Sequence, residues 1–220
     1  MRNLLVVIFT VASVLAFGCQ GKEGVSGYEE PANCKKIECP PYEVVHSQDE
    51  YEIRRYENAS WVSTPPINST TYRDAVGEGF KILFSYIQGN NKQGAKVEMT
   101  APVLVDVFPS TGPFCNSSFV VSFYVPKKYQ PSPPLSDQVH PVKLPGRHVY
   151  AAVKRFGGFS DDTNIPAQVS ALDKSLKAAE GDNTSVLRNH KRVTAHYSVA
   201  GYNSPFEIFN RVNEVIFWYD

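Results

Sequence analysis

Apolar positions along this chain follow two rhythms, and the changes between them divide it into elements. Tyr42 to Ser63 (YEVVHSQDEYEIRRYENASWVS) carries branched and aromatic residues on both sides of Ser47-Gln48-Asp49. This predicts a hairpin, ended by Pro65-Pro66. From about Thr71 to Gln88 the period becomes helical: Tyr72, Val76, Phe80, Leu83, Phe84 and Ile87 form one stripe. Thr70 or Thr71 supplies a cap and Gly89-Asn90 a stop. Gly77 and Gly79 cost helix stability, so they mark a place where something approaches the backbone closely. KVEMTAPVLVDVF (96–108) and SFVVSFYVP (118–126) read as strands around Pro-Ser-Thr-Gly-Pro, followed by the proline-rich loop YQPSPPLSDQVHP.

HVYAAVKRFGGFS (148–160) opens a second round. Asp161 to Asn164 lead into a helix with the stripe Ile165, Val169, Leu172, Leu176 and Ala179, stopped at Gly181. RVTAHYSVAGYNSP and NEVIFWYD are the closing strands. The rounds repeat one plan: a strand ending in a basic residue and an aromatic (Arg55-Tyr56, then Arg155-Phe156), a helix, then a strand near a small residue and proline. Two pseudo-symmetric β-α-β-β halves are expected, with pooled strands and one helix per half.

The first eighteen residues stand apart. Arg2 followed by the apolar run Leu4 to Phe17 and the small Ala16 and Gly18 reads as a secretory signal peptide, residues 1–18. The run is shorter than the about 20 residues of a spanning helix, so no membrane span is expected after cleavage. Cleavage after Gly21 would remove Cys19 as well. Residues 19–40 form an N-terminal extension with cysteines, and 41–220 the folded domain. Residence is therefore expected outside the cell or in an endomembrane lumen. The sequons at Asn58, Asn68, Asn116 and Asn183 agree with that route. Of the four cysteines, Cys34 and Cys39 could close a small loop, or one of them could reach Cys115. A disulfide is favoured over zinc, because Cys-x4-Cys without a second close pair is poor zinc spacing.

Charge excludes one class of partner. Lys plus Arg and Asp plus Glu are 22 each, for a formal charge of zero, so a nucleic-acid partner is not expected. No nucleophile elbow, zincin helix or P-loop is present, and the five histidines are scattered. No metal site is expected. Glu214 lies in an otherwise apolar terminal strand. It either alternates to the wet face of an edge or is a buried carboxylate that recognises a cationic or hydrogen-bonding ligand. Arg54, Arg55, Lys154 and Arg155 are either solvated strand ends or charges available to acidic groups at a pocket rim.

YEIRRY (51–56), WVST (61–64), SYIQGNN (85–91), KVEMTAPV (96–103), SFYVP (122–126), RFGGFS (155–160), and GYNSP with RVNEV (201–215) together resemble the SOUL/haem-binding protein family in order and spacing. The resemblance implies an α+β domain, a distorted antiparallel β-barrel flanked by two helices and built from two related halves. It also implies non-catalytic binding of haem or a related tetrapyrrole in a shallow apolar pocket against the first helix. By position that suggests Tyr72, Val76, Phe80, Leu83 and Phe84, with Phe206 opposite. Arg55 stands where some members carry a histidine. Gly77 and Glu207 fall where others carry basic anchors, so the family's polar anchors do not transfer. Arg55 and Glu214 remain polar candidates. The alternatives are an enzyme acting on such a ligand through Glu214 or a histidine, and a structural or partner-binding secreted protein.

Overall fold

The computed structural model describes residues 27–110, 116–179 and 187–220. The segment 1–18 read as a signal peptide, Cys19, Cys115, Asn183 and Gly181 lie outside the described residues. The strands are β1 (Tyr42–Gln48), β2 (Tyr51–Tyr56), β3 (Ala59–Ser63), β4 (Ile67–Ser69), β5 (Val103–Phe108), β6 (Ser117–Tyr124), β7 (His140–Leu144), β8 (Tyr150–Phe156), β9 (Tyr197–Gly201) and β10 (Asn213–Tyr219). The two helices are α1 (Tyr72–Ile87) and α2 (Asn164–Ala178). All pairings are antiparallel, in the order β1-β2-β8-β10-β9-β5-β6-β3-β7, with β4 on β6. The sheet curls into a half-barrel, the distorted α+β architecture that the family resemblance implies.

The two halves are visible in that order. β3-α1-β5-β6 and β8-α2-β9-β10 are equivalent units, laid out as β3-β6-β5 and β8-β10-β9 and joined where β5 pairs with β9. Each unit also lends a strand to the other. β2, which precedes β3, pairs with β8; β7, which precedes β8, pairs with β3. The expected hairpin is thus β1–β2 only, turned at Asp49-Glu50. The run continuing into WVS is a separate strand, broken at Glu57-Asn58, that leaves for the opposite end of the sheet. KVEMTAPVLVDVF is likewise a strand only from Val103. Pro102 has no N–H to donate to a ladder, and residues 96–102 run as irregular backbone before it.

Both faces of the sheet are covered, which explains the nearly unbroken apolar run of β10. Val215, Phe217 and Tyr219 join the core beneath the helices, while Ile216 and Trp218 face a second cluster with Trp61, Leu104, Tyr124 and Tyr202. Cys34, Ile37 and Cys39 pack against that second cluster. The N-terminal extension is therefore, from Gly27 on, part of the fold. It contains a 3-10 turn, Ala32–Lys35, and a Cys34–Cys39 disulfide with Cα atoms 5.5 Å apart.

Helix α1 starts where Thr71 Oγ1 accepts from the Asp74 N–H at 3.1 Å. Another free N–H of its first turn, that of Tyr72, donates to Asp162 Oδ1 at 2.6 Å, just ahead of α2. Its apolar residues form two rows rather than one. Tyr72, Ala75, Gly79, Leu83, Tyr86 and Ile87 are buried against the sheet. Val76, Phe80 and Phe84 form the flank, where Phe84 is 44% exposed. Gly79 explains how close the helix comes: a Cβ there would lie 2.4 Å from Val121 Cγ2 of β6, whereas one on Gly77 would meet nothing within 4 Å.

Candidate ligand pocket

Four segments enclose a cavity of about 530 Å³ beside α1, within the range of small-molecule sites. The first is the exposed flank of the helix, where Phe80 and Phe84 stack with centroids 5.7 Å apart and planes at 14°. Phe80 is held edge-on against Phe123 of β6, at 5.5 Å and 66°. The second is the irregular backbone before β5, contributing Met99 to Ala101, with Val103 at the start of the strand. The third is the loop between β9 and β10, from Gly201 to Glu207, with Phe206 90% exposed. The fourth is the disulfide-closed N-terminal turn, through Asn33, Lys36 and Ile37.

The cavity is apolar inside, with its polar atoms at the rim. Glu207 accepts from Asn33 Nδ2 at 2.9 Å, Asn203 Nδ2 at 3.2 Å and the Ser204 N–H at 3.0 Å. The Asn33 bond and then the Ser204 bond hold its carboxyl below the ordinary value. Lys36 is exposed and, among the described residues, is the one lysine or arginine that lines the cavity. No histidine among them lines it.

Of the residues suggested for the pocket, Phe80, Phe84 and Phe206 come together there. Tyr72 is buried edge-on against Phe119 at 6.2 Å, Leu83 is wholly inside the core, and Val76 packs on that core. These three do not line the cavity. Tyr72 and Leu83 belong to the row turned to the sheet, and Val76, in the flank row, packs on the core one turn before Phe80; a single stripe does not separate these positions. Met99, Lys36, Ile37 and Asn33 also line the cavity and are not among the residues that the sequence suggests. Met99 had its place in KVEMTAPV as a signal, whereas a four-residue turn in the extension has no periodicity to read.

The polar candidates lie elsewhere. Arg55 is exposed on β2, near the sheet's end, and pairs with Glu43 at 2.6 Å. Glu214 is fully buried on β10, a central strand rather than an edge. Its Oε1 accepts from Arg54 Nη2 (2.8 Å) and from Arg155 Nε and Nη2 (3.1 and 2.8 Å). Its Oε2 accepts from Arg54 Nη1 and the Tyr202 hydroxyl, both at 2.9 Å. Arg54, far from being a solvated strand end, is fully buried; its Nε donates to Glu52 at 2.6 Å and its guanidinium lies 4.1 Å over the Tyr42 ring. Burial alone would raise the Glu214 carboxyl, but Arg54 and then Arg155 outweigh it and bring it down to about 2. Ionised and saturated with donors, Glu214 is not placed to carry protons. The cations it recognises are the chain's own.

Fold and cavity together define an α+β half-barrel with a ligand-sized apolar pocket against its first helix. The family model described as SOUL heme-binding protein matches residues 37–218, and the chain belongs to that family. It is 35% identical over 195 residues to human heme-binding protein 2, covering 86% of this chain and 89% of that one. With heme-binding protein 1 of Xenopus tropicalis it shares 28% over 169 residues, 76% and 82% of the two chains. Among solved structures, the C-terminal domain of EcmrR superposes with a TM-score of 0.52 at 9% identity, over 81% of this chain and 98% of that one. That last likeness is one of fold alone.

Proposed function

We propose that this protein binds haem, or a related flat tetrapyrrole, in the cavity beside α1, as a non-catalytic carrier, buffer or sensor. The observation that carries the reading is the cavity itself: an apolar space of about 530 Å³ where stacked Phe80 and Phe84 stand against a loop that leaves Phe206 in solvent. Exposed aromatic rings flanking an apolar slot suit a flat ligand whose rings replace water. Relatives named heme-binding proteins 1 and 2, at 28% and 35% identity, support the choice of ligand. Phe80, Phe84 and Phe206 would hold the macrocycle, and Met99 offers the one thioether on the lining among the described residues. When bound, the haem supplies a redox-active iron; this chain's part is to hold the ring and exclude water from one face.

Haemin titration of the purified protein, followed at the Soret band, tests this. A saturable shift at micromolar haemin is expected, lost in Phe80→Asp and kept in His196→Ala, since His196 lies against Phe108 away from the cavity. No shift at micromolar haemin overturns the reading.

We further propose that the protein enters the secretory pathway through the apolar segment 1–18 and carries N-linked glycans. A Cys34–Cys39 disulfide is at home in an oxidising compartment. Asn58, Asn68 and Asn116 are all exposed, as glycan attachment requires. Expression in a secreting cell tests it: a form in the medium that glycosidase shortens is expected, and cytosolic, unglycosylated protein overturns it.

A further inference from the structure

The family match starts at residue 37, yet one wall of the cavity is built mainly ahead of that point. Asn33 and Lys36 precede the matched region, and the disulfide from Cys34 to Cys39 spans its beginning. This wall is tied at both flanks. On one side Asn33 Nδ2 donates to the Tyr202 carbonyl at 2.7 Å and to Glu207 at 2.9 Å, fastening the turn to the loop that carries Phe206. On the other, the Ala101 N–H donates to the Glu38 carbonyl at 3.0 Å, and the Lys127 N–H to the Glu38 carboxylate at 2.7 Å. Within the turn, the N–H groups of Lys36 and Ile37 both donate to the Asn33 carbonyl at 2.9 Å. Lys36 and Ile37 therefore sit inside the ring closed by the disulfide, one apolar contact and one cation.

No salt bridge ties the cation down: Glu207 on the same rim is served by three hydrogen bonds and feels the Lys36 charge only through space, and Lys36 makes no ion pair within 4.0 Å among the described residues. Arg54, Arg55, Lys154 and Arg155 are spent on Glu214, Glu43 and Glu50 away from the cavity. A flat apolar ligand bearing carboxylates needs a positive group where its acidic edge reaches water.

We propose that the disulfide-closed turn is a ligand-binding wall: Lys36 takes an acidic group of the ligand at the rim, and the Cys34–Cys39 bond holds Lys36 and Ile37 in reach. This rests on the tetrapyrrole reading above. Preorganisation is the physical gain, since a closed and pinned turn loses less freedom on binding than an open tail. Because Lys36 stays exposed, its charge acts through water and its effect is moderate and salt-sensitive.

Titration of the secreted protein with haemin, and with haemin whose two carboxyls are methyl esters, separates the parts. Lys36→Gln is expected to weaken haemin about fivefold, the upper range of an exposed ion pair, and to leave the diester unchanged. Cys34→Ser with Cys39→Ser is expected to weaken both ligands, by about tenfold. Asn33→Ala, which leaves the disulfide intact, is expected to weaken both in the same direction. An acid-to-ester preference unchanged by Lys36→Gln overturns the role of Lys36. Wild-type affinity in Asn33→Ala and in a Cys34→Ser/Cys39→Ser variant that still melts cooperatively overturns the wall. Wild-type protein that binds neither compound overturns the tetrapyrrole reading itself, a result distinct from both.

Discussion

Arg54 and Glu214 meet in a two-pronged ion pair, at 2.8 and 2.9 Å, although 160 residues separate them and β8 runs between their strands. Glu52 and Arg155 complete the group, so two carboxylates and two guanidinium groups balance within the second core. The pair fastens the lent strand β2 to the central strand of the half it joins. Removing one partner strands the other charge in a dry interior, at a cost of about 3–5 kcal/mol. Glu214→Gln is therefore expected to lower the urea midpoint sharply. Arg54→Met combined with Glu214→Leu should recover little of the loss, because the fully buried Glu52 carboxylate then lacks its cation. Equilibrium unfolding of the single and double variants checks this.

The same group fixes a response to acid. The Glu214 carboxyl falls from its ordinary 4.5 to about 2 in the folded protein. A lowered folded value means that the unfolded chain takes up the proton first. The stabilisation is thus full above about pH 4.5 and drains away as pH falls toward 2. Stability measured across pH 2–6 should show this slope, and Glu214→Gln should flatten it.

Asp106 on β5 has the opposite sign. Burial raises its carboxyl above the ordinary 3.8, opposed by the Ser198 hydroxyl, which donates to it at 2.5 Å, and more weakly by His196 and His148. Ser198 also accepts from Trp218 Nε1 at 2.7 Å, so the acid ends a short buried chain of hydrogen bonds. A raised folded value gives a contribution fully present below the unfolded pKa and lost as pH rises through the folded one. Asp106→Asn keeps an acceptor for Ser198 and removes the half-buried charge. It should melt above wild type at pH 8, and the difference should vanish at pH 3.

Helix positions were legible because their evidence is local. The stripe from Tyr72 to Ile87 and the cap at Thr71 coincide with α1, since a 3.6-residue period is a property of one segment. Strand partners are not local. Nothing in YEIRRY says that β2 will leave β3 and pair with β8, and the Arg54–Glu214 pair depends on that exchange. The pocket was half legible for the same reason. Phe80 and Phe84 are neighbours on one helix, whereas Lys36 and Phe206 are brought near them only by the finished fold.

Phe206 offers a test that separates binding from folding. At 90% exposure it buries almost nothing in the free protein, so Phe206→Ser should leave the melting temperature within about a degree. If its ring covers a bound tetrapyrrole, the variant should nevertheless weaken haemin by about tenfold, the scale of losing one aromatic contact.

Gly77 and Gly79 make the sharpest contrast, because two glycines in one helix should respond with opposite signs. At Gly77 an added Cβ meets nothing within 4 Å, and alanine exceeds glycine in helix preference by about 1 kcal/mol. Gly77→Ala should therefore stabilise the protein. At Gly79 the added Cβ falls 2.4 Å from Val121 Cγ2 and 2.7 Å from its Cβ, with Ile67 Cδ1 at 3.2 Å. The side chain and the helix must then part, at about 1–3 kcal/mol, more than the helix preference returns. Gly79→Ala should destabilise, and Val121→Ala should relieve part of that loss by clearing the obstructing methyl. Non-additive unfolding energies in the Gly79→Ala/Val121→Ala cycle would place the close approach of α1 to β6 at that contact; additive ones would remove it as the reason for glycine there.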